Sequence, residues 1–466
     1  MAEPLWTSAE ILAATGGTLT GEPFAATGVS IDTRTLERGD LFVALAGVRD
    51  GHEFVQTALH RGAAGVLASQ PIASAAVVVP DTLKALEQLG EAARERAPQA
   101  RRGAVTGSVG KTSVTQAIAA GLKRAGRAHA SVKSYNNHIG VPLTLARMPR
   151  DTERAVFEIG MNHADEIIPL TRMVRPHAVV VTTVAQAHIE NFADGEMGVA
   201  RAKAEIFDGL RSGGKAVLNA DNRWFDFLAG AARGHSAQVA CFGTRDGCAA
   251  QLTDFRLEGA GARVEARLHG RPLSFSLRQT GSHWGLMSLA ALLMMEALDV
   301  PLDPAVAALQ AFEPLEGRGA ELSVALPGGA FTLIDESYNA NPVSVAAALR
   351  TLGLRAAPRR RIAVLTDMLE LGKESRAYHS SLAAEIEAAK VDLVFCAGPM
   401  MKSLFEALPP TRQGAYAKEA ALLAPIVTRA VEPGDVVMVK GSRDSHAKAL
   451  FDALKAAGER ASGEAA

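Results

Sequence analysis

The run Thr106-Gly107-Ser108-Val109-Gly110-Lys111-Thr112-Ser113 constrains this chain most, because it has the make-up of a loop that holds a nucleotide phosphate between a strand and a helix. Gly107 and Gly110 permit close backbone approach, Lys111 supplies a cation, and Thr112 offers a hydroxyl for Mg²⁺. The apolar lead-in Ala104-Val105 reads as a strand, and the amphipathic stretch 112–124 reads as a helix whose N-terminal dipole favours the phosphate. The strict phosphate-loop pattern places a glycine five residues before Gly110; Val105 stands there, so the motif is a variant. On pattern alone, a glycine-rich turn before an ordinary helix is the alternative.

A phosphate loop calls for a doubly wound sheet, and the chain keeps that rhythm on both sides of it. Strand-like runs at 103–106, 155–159, 178–183 and 215–218 alternate with helical ones at 112–124 and 198–210. Alternating stretches at 249–257, 262–268 and 273–277 predict antiparallel strands. A helix is predicted over 284–298, with Ser282 as N-cap and Met287, Ala290, Ala291, Met294 and Met295 in the core. Before the loop, runs at 41–45, 65–68 and 76–79 alternate with helical patterns at 52–61 and 82–96, and 98–102 reads as a linker. Beyond 314 a second open sheet is predicted: strands 331–334, 361–365, 391–396 and 435–439, with helices 343–352, 375–389, 419–429 and 447–457. The expected fold is α/β in three domains: a small N-terminal α/β domain (1–98), a central P-loop mononucleotide-binding domain with a mostly parallel sheet (99–314), and a C-terminal Rossmann-like α/β domain (315–466). A chain of 466 residues that is 48% hydrophobic has the material for three such cores.

Charge argues against two partner classes. With 49 Lys and Arg against 50 Asp and Glu, the whole chain offers no electrostatic case for a nucleic acid or a membrane. The apolar segment 286–295 is too short to span a bilayer, and the start of the chain, with Glu3 and Glu10, lacks the basic-then-apolar pattern of an export signal. Cys241, Cys248 and Cys396 have neither metal-ligand spacing nor the even count of a disulfide framework, so reduced thiols are expected, with Cys396 buried in a strand. A cytoplasmic monomer is the expectation.

Ligand sites of open α/β sheets lie at the carboxyl ends of strands, which singles out several residues. Glu158 ends an apolar strand, where a carboxylate needs a cation, either a metal or an ion-pair partner. His188 follows the next strand and is open between a structural and a ligand role, since Mg²⁺ prefers oxygen. Lys203 lies on a helix whose apolar face carries Ala202, Ile206, Phe207 and Leu210, and from the residues alone it reads as a snorkelling surface lysine. Asp335-Glu336-Ser337-Tyr338-Asn339-Ala340-Asn341-Pro342 places acidic, aromatic and amide groups after a strand, with Asn341-Pro342 also a good helix start. Lys440-Gly441-Ser442-Arg443 reads equally as an anion clamp and as a solvated charge pair. Ser30-Ile31-Asp32-Thr33-Arg34 and the run from Gly47 through Asp50 and Gly51 to His52 read as turns or as a polar-ligand site.

In combination, the phosphate loop, Glu158-Ile159-Gly160-Met161-Asn162, Ala187-His188-Ile189-Glu190-Asn191-Phe192 and Lys203-Ala204-Glu205-Ile206-Phe207 resemble the ATP-dependent Mur ligases of bacterial peptidoglycan synthesis. The runs 335–342 and 440–443 resemble the branch of that family that adds D-alanyl-D-alanine to UDP-N-acetylmuramoyl-tripeptide (UDP-MurNAc-tripeptide). The branch that adds the third amino acid carries an Asp-Tyr-Ala-His-type motif and an Asp-Asn-Pro-Arg clamp, both absent here. The resemblance, which runs from about residue 30 to 450, implies an ATP-dependent amide ligase working through an acyl phosphate. It implies that Gly107, Ser108, Val109, Gly110, Lys111, Thr112 and Ser113 cradle ATP, and that Arg318, Asp335, Tyr338 and Asn339 reach the nucleotide on domain closure. It implies two Mg²⁺ sites held by Thr112, Glu158, His188 and a Lys203 carbamylated by CO₂, with Lys111, Glu158, His188 and Lys203 the catalytic set. Ser30, Asp32, Thr33, Arg34, Asp50, Gly51, His52 and Asn137 would bind the UDP-sugar substrate, and Lys440 and Arg443 substrate in the third domain. Met287 stands where the family usually carries an asparagine near the adenine. A different acid:amine ligase on the same scaffold and an ATP-gated binding module without amide synthesis are the alternatives.

Overall fold

In the computed structural model, which describes residues 3–47, 49–259 and 261–463, each stretch of strand-helix rhythm builds its own sheet. The first has five strands, in the order Thr18–Thr20, Ala76–Val78, Gly65–Ala68, Asp40–Val43, Gly28–Ser30, all parallel except the Thr18–Thr20 edge. Asp40–Val43 and Gly65–Ala68 are buried along their whole length, as central parallel strands with both faces covered must be. The helix Thr82–Glu95 starts at Asp81, whose side chain accepts from the amides of Leu83 and Lys84. Its buried stripe of Ala85, Leu86, Leu89 and Ala93 shares one core with Leu143 and Ala146 of the helix Gly140–Ala146. The Trp6 indole donates to the Ala146 carbonyl at 2.8 Å, under the Arg96 guanidinium 3.7 Å from the ring centre.

The first sheet thus completes its core with a helix from beyond the phosphate loop. Residues 98–102, expected as a linker, are no loose tether. Ala97 and Ala100 are buried, and the next strand already begins at Arg101. Arg102 is buried with its guanidinium donating to the carbonyls of Val174 and Ala100, so its charge is satisfied internally.

Nine strands form the central sheet, and four of them set the site: Lys215–Asn219, Ala178–Val181, Arg101–Thr106 and Arg154–Glu158 lie side by side and parallel. Register pairs Glu158 with Val105 and Val181 with Thr106, so three strand ends emerge together beside the phosphate loop. Val105, in place of the stricter motif's glycine, is simply a fully buried strand residue. The predicted antiparallel strands extend the sheet as Ala250–Glu258, Gly261–Leu268 and Arg271–Leu277. The helix Lys111–Ala125 buries Val114, Ile118 and Leu122 in the same core as Met287, Met294 and Met295 of the helix His283–Ala297. Ser282 does sit at that helix's N-cap, but in helical conformation and without a side-chain cap bond; a capping hydroxyl needs extended backbone.

The third sheet has the order Ala320–Leu326, Gly329–Glu336, Val436–Lys440, Arg361–Thr366, Leu393–Ala397, Gln413–Ala417, antiparallel only at its first pair. Both edge strands escape the sequence pattern: half-exposed, they lack the continuous apolar run of the buried four. Asn341 and Ser344 cap the helix Pro342–Gly353 reciprocally, as the Asn-Pro start predicts. Cys396 is fully buried. Among the described residues no helix is long and apolar enough to cross a membrane.

Because Leu86 fills the shared core of the first sheet and the helix Gly140–Ala146, Leu86→Ala is expected to lower unfolding stability by about 2–5 kcal/mol, measured by urea denaturation.

Candidate active site

The carboxyl ends of the central and third sheets face one another across a cavity of about 820 Å³. The phosphate loop from Ser108 to Ser113, Asn136, Asn137, Glu158 and His188 line one wall; Arg318, Glu336, Tyr338, Asn339, Glu370, Lys440 and Arg443 line the other. The loop's shape depends on its glycines. Gly107 has φ 144°, and a Cβ there would stand 2.0 Å from Thr182 Oγ1; Gly110 has φ 84° and caps the helix. Thr182 donates to the Val109 carbonyl at 2.6 Å, and Ser108 Oγ to the Ala185 carbonyl at 3.1 Å, so the following strand's end braces the loop.

Lys111 Nζ donates to the Gly107 carbonyl at 2.8 Å. Enclosure by protein holds its pKa below the ordinary lysine value, Arg318 lowers it further, and Glu158 works in the opposite direction. Arg318 spans the cavity: its Nη2 donates to Thr112 Oγ1 at 3.1 Å, while its guanidinium lies 4.0 Å from the centre of the Tyr338 ring. The Tyr338 hydroxyl in turn meets Ser134 Oγ on the central side.

Glu158 is 1% exposed; Oε1 accepts from Asn136 Nδ2 at 2.6 Å, and Oε2 is buried without a partner. Lys203 corrects the surface expectation. It is 1% exposed, in the last turn of the helix Glu196–Ala204, and its Nζ has no hydrogen-bond partner. The apolar face assigned to its neighbours also carries its own side chain inward, so the amine cannot snorkel to water. Burial drives its pKa well below the usual lysine range, with Lys111 acting in the same direction. His188 has a left-handed backbone, φ 58°, and its Nδ1 lies 2.5 Å from Glu370 Oε2 of the third sheet, a contact that holds the Glu370 carboxyl below its usual pKa.

The other residues singled out from sequence divide into groups. Asp335 does not line the cavity: buried behind it, its carboxylate accepts from the Gly317 amide and from the amide and hydroxyl of Ser337, and so shapes the loops that carry Arg318 and Tyr338. Lys440, open in sequence between a clamp and a solvated pair, is 3% exposed and bonded to Glu336 Oε2 at 3.2 Å, its register partner on the next strand. Arg443 stands exposed at the rim. Asn137 accepts from the amides of Ile139 and Gly140, leaving Asn136 as the partner of Glu158.

Ser30, Asp32, Thr33, Arg34, Asp50, Gly51 and His52 lie outside the cavity lining, to which their stretch contributes only Ile31. Asp32 accepts from the amide and guanidinium of Arg34, which lowers its pKa, and the Thr33 carbonyl accepts from Arg61. Asp50 accepts from the His52 amide at 3.0 Å and contacts Nδ1 at 2.6 Å; His52 Nε2 accepts from the Ser69 amide, which leaves the ring proton on Nδ1. Gly51 approaches the Leu45 backbone too closely for any side chain.

Sequence reasoning missed Asn136 and Glu370. The rule that flagged Glu158, a carboxylate just past a strand's carboxyl end, also marks Glu370 after Arg361–Thr366. Among the described residues no group of three His, Cys, Asp or Glu is placed to hold a metal. The donors at hand are a threonine hydroxyl, one orphaned carboxylate oxygen, an imidazole and an orphaned amine, a set suited to a hard cation once the amine gains a carboxylate.

Residues 105–295 match the Mur ligase middle domain, and residues 324–443 match the Mur ligase, glutamate ligase domain. The UDP-N-acetylmuramoyl-tripeptide--D-alanyl-D-alanine ligase of Escherichia coli (strain K12) is 34% identical, over 94% of this chain and 96% of its own. The enzyme of the same name from Bacillus subtilis (strain 168) is 32% identical, over 92% and 93%. Of solved structures, MurF from Acinetobacter baumannii superposes with a TM-score of 0.85 at 28% identity, covering 97% of this chain and 99% of that one. A phosphate loop answered by an arginine from a second open sheet, in a chain that aligns with these ligases almost end to end, belongs to the Mur ligase family.

Proposed function

We propose that this chain is an ATP-dependent ligase that joins the amine of D-alanyl-D-alanine to the terminal carboxylate of UDP-MurNAc-tripeptide, releasing ADP and phosphate. The carrying observation is the shared cavity, in which the phosphate loop and the strand ends of a second sheet face each other with Arg318 bonded to Thr112. The substrates follow from relatives that match nearly the whole chain.

A carboxylate is a poor electrophile, so it attacks the γ-phosphorus of ATP, ADP leaves, and an acyl phosphate forms; the amine then attacks the acyl carbon, and phosphate departs with the loss of a proton. The amides of the loop 107–113 receive the phosphates at a helix N-terminus, and Lys111 offsets the charge that develops on the transferred group. Arg318 adds a second cation from the opposite wall, where Tyr338 and Asn339 flank the nucleotide. Asp335 acts at one remove by fixing their loops. Closure of the two walls keeps water from the acyl phosphate.

Mg²⁺, when bound, neutralises phosphate charge and orients the phosphoryl oxygens. Thr112 and Glu158 would hold one ion, and His188 and carbamylated Lys203 the other. The orphaned Glu158 Oε2 and Lys203 Nζ support this assignment. Burial disfavours the charged form of Lys203, and the neutral amine has the lone pair that attacks CO₂, forming an N–C bond and releasing a proton. The resulting carbamate is an anion suited to a hard cation.

Ser30, Asp32, Thr33, Arg34, Asp50, Gly51 and His52 would grip the UDP end from the first sheet. Their place at the carboxyl ends of Gly28–Ser30 and Asp40–Val43, with Ile31 on the cavity, supports a substrate laid from that sheet toward the phosphate loop. Asn137 would meet the substrate along the way, and Lys440 and Arg443 the incoming dipeptide. The enzyme would work as a cytoplasmic monomer.

With ATP, Mg²⁺ and UDP-MurNAc-tripeptide, phosphate release is expected only when D-alanyl-D-alanine is added; equal turnover with a single amino acid would sink the assignment. Lys203→Ala is expected to lower kcat by at least about 100-fold, with partial recovery in millimolar formate or acetate, read by the same phosphate assay. Unchanged activity would return Lys203 to a packing role.

A further inference from the structure

His188 and Glu370 come from different sheets and meet across the cavity in an ionic contact, 2.5 Å apart at Nδ1 and Oε2 but without hydrogen-bond alignment, and the chemistry above makes no use of Glu370. Both residues have left-handed backbone, φ 58° and 61°, which few residues other than glycine adopt. Such a conformation persists where the surroundings over-determine it, and both loops are held that way. Beneath Glu370, buried Asp367 accepts from the amides of Met400 at 3.1 Å and Met401 at 2.8 Å. The Met368 amide donates to His379 Nε2 at 2.9 Å, and the Leu369 amide to Ser442 Oγ at 3.0 Å. On the other side the His188 carbonyl accepts from the Asn191 amide at 3.1 Å, and Asn191 Nδ2 donates to the Asn162 carbonyl at 3.1 Å. The two loops also touch two residues further along each, where a Cβ on Gly372 would lie 3.3 Å from Glu190 Cβ.

We propose that Glu370 is a positioning residue that acts through His188. The charge of a carboxylate this close to Nδ1 favours the ring proton on that nitrogen and the lone pair on Nε2, the arrangement a metal-binding imidazole needs. Histidine ligands are commonly oriented by such a carboxylate from the same body of the protein. Here the third sheet delivers it, so His188 is set only when the cavity closes. This inference rests on His188 serving as a Mg²⁺ ligand. The Glu370 side chain is 48% exposed, and a pair this open adds little to stability, so its removal leaves the fold intact.

The test uses the full chain with Mn²⁺ in place of Mg²⁺, a non-hydrolysable ATP analogue and UDP-MurNAc-tripeptide, with free Mn²⁺ read by electron paramagnetic resonance. Glu370→Ala is expected to weaken Mn²⁺ binding by about tenfold or more, the usual cost of losing the carboxylate behind a histidine ligand. Glu370→Gln, which keeps an oxygen of the same reach beside Nδ1, should weaken it by less than about threefold. Both variants should keep the parent melting temperature and KM for ATP, with kcat reduced in Glu370→Ala. Mn²⁺ affinity of Glu370→Ala within twofold of the parent, or Glu370→Gln as weak as Glu370→Ala, would overturn the inference alone. A His188→Ala variant that binds Mn²⁺ as the parent does would remove the metal-ligand role of His188, and the inference with it.

Discussion

Arg318 reaching across to the Thr112 hydroxyl is the interaction on which the site depends, because it joins two sheets that otherwise have separate cores. Its guanidinium is pre-set by the Tyr338 ring on one side and by the Gly317 turn that Asp335 holds on the other. The result places two cations, Lys111 and Arg318, in one enclosed space. Enclosure by protein disfavours the charge on Lys111, Glu158 opposes that, and Arg318 adds to it. A polyphosphate placed between the two cations would be attracted from both sides.

The second consequence is a division of labour between the walls. The central wall holds groups in fixed positions, on strand ends locked in register and on a loop that admits no side chain at Gly107. The third wall brings Arg318, Tyr338 and Glu370, which meet Thr112, Ser134 and His188 of the central wall across the cavity. Chemistry that produces a water-sensitive acyl phosphate gains from two walls that enclose it and keep solvent out.

Much of this was legible in the sequence, for reasons that can be named. The phosphate loop is local, and so is the capping pair Asn341 and Ser344; the carboxyl-end rule then marked Glu158 and His188 without any knowledge of the packing. What escaped depends on tertiary context. Lys203 carries the same local pattern whether its helix face meets water or protein, and only the packed fold decides that its amine is buried. Residues 98–102 read as a linker, whereas the strand begins at Arg101 and Arg102 spends its charge on buried carbonyls. Asp335 was expected to reach the nucleotide, yet it lies behind the cavity lining and holds the Gly317 turn, since a carboxylate that shapes a loop and one that faces a ligand look alike in a motif. The half-exposed edge strands of the third sheet lacked the continuous apolar run of their neighbours.

The most direct test of the central claim, that this cavity sets a peptide carboxylate against the terminal phosphate of ATP, is isotope transfer. UDP-MurNAc-tripeptide labelled with ¹⁸O in its terminal carboxylate is turned over with ATP and D-alanyl-D-alanine, and the released phosphate is analysed by ³¹P NMR or mass spectrometry. One labelled oxygen in the phosphate for each amide bond formed is the predicted result, because the carboxylate oxygen that captures the phosphoryl group leaves with it. Unlabelled phosphate accompanying amide formation would contradict the account.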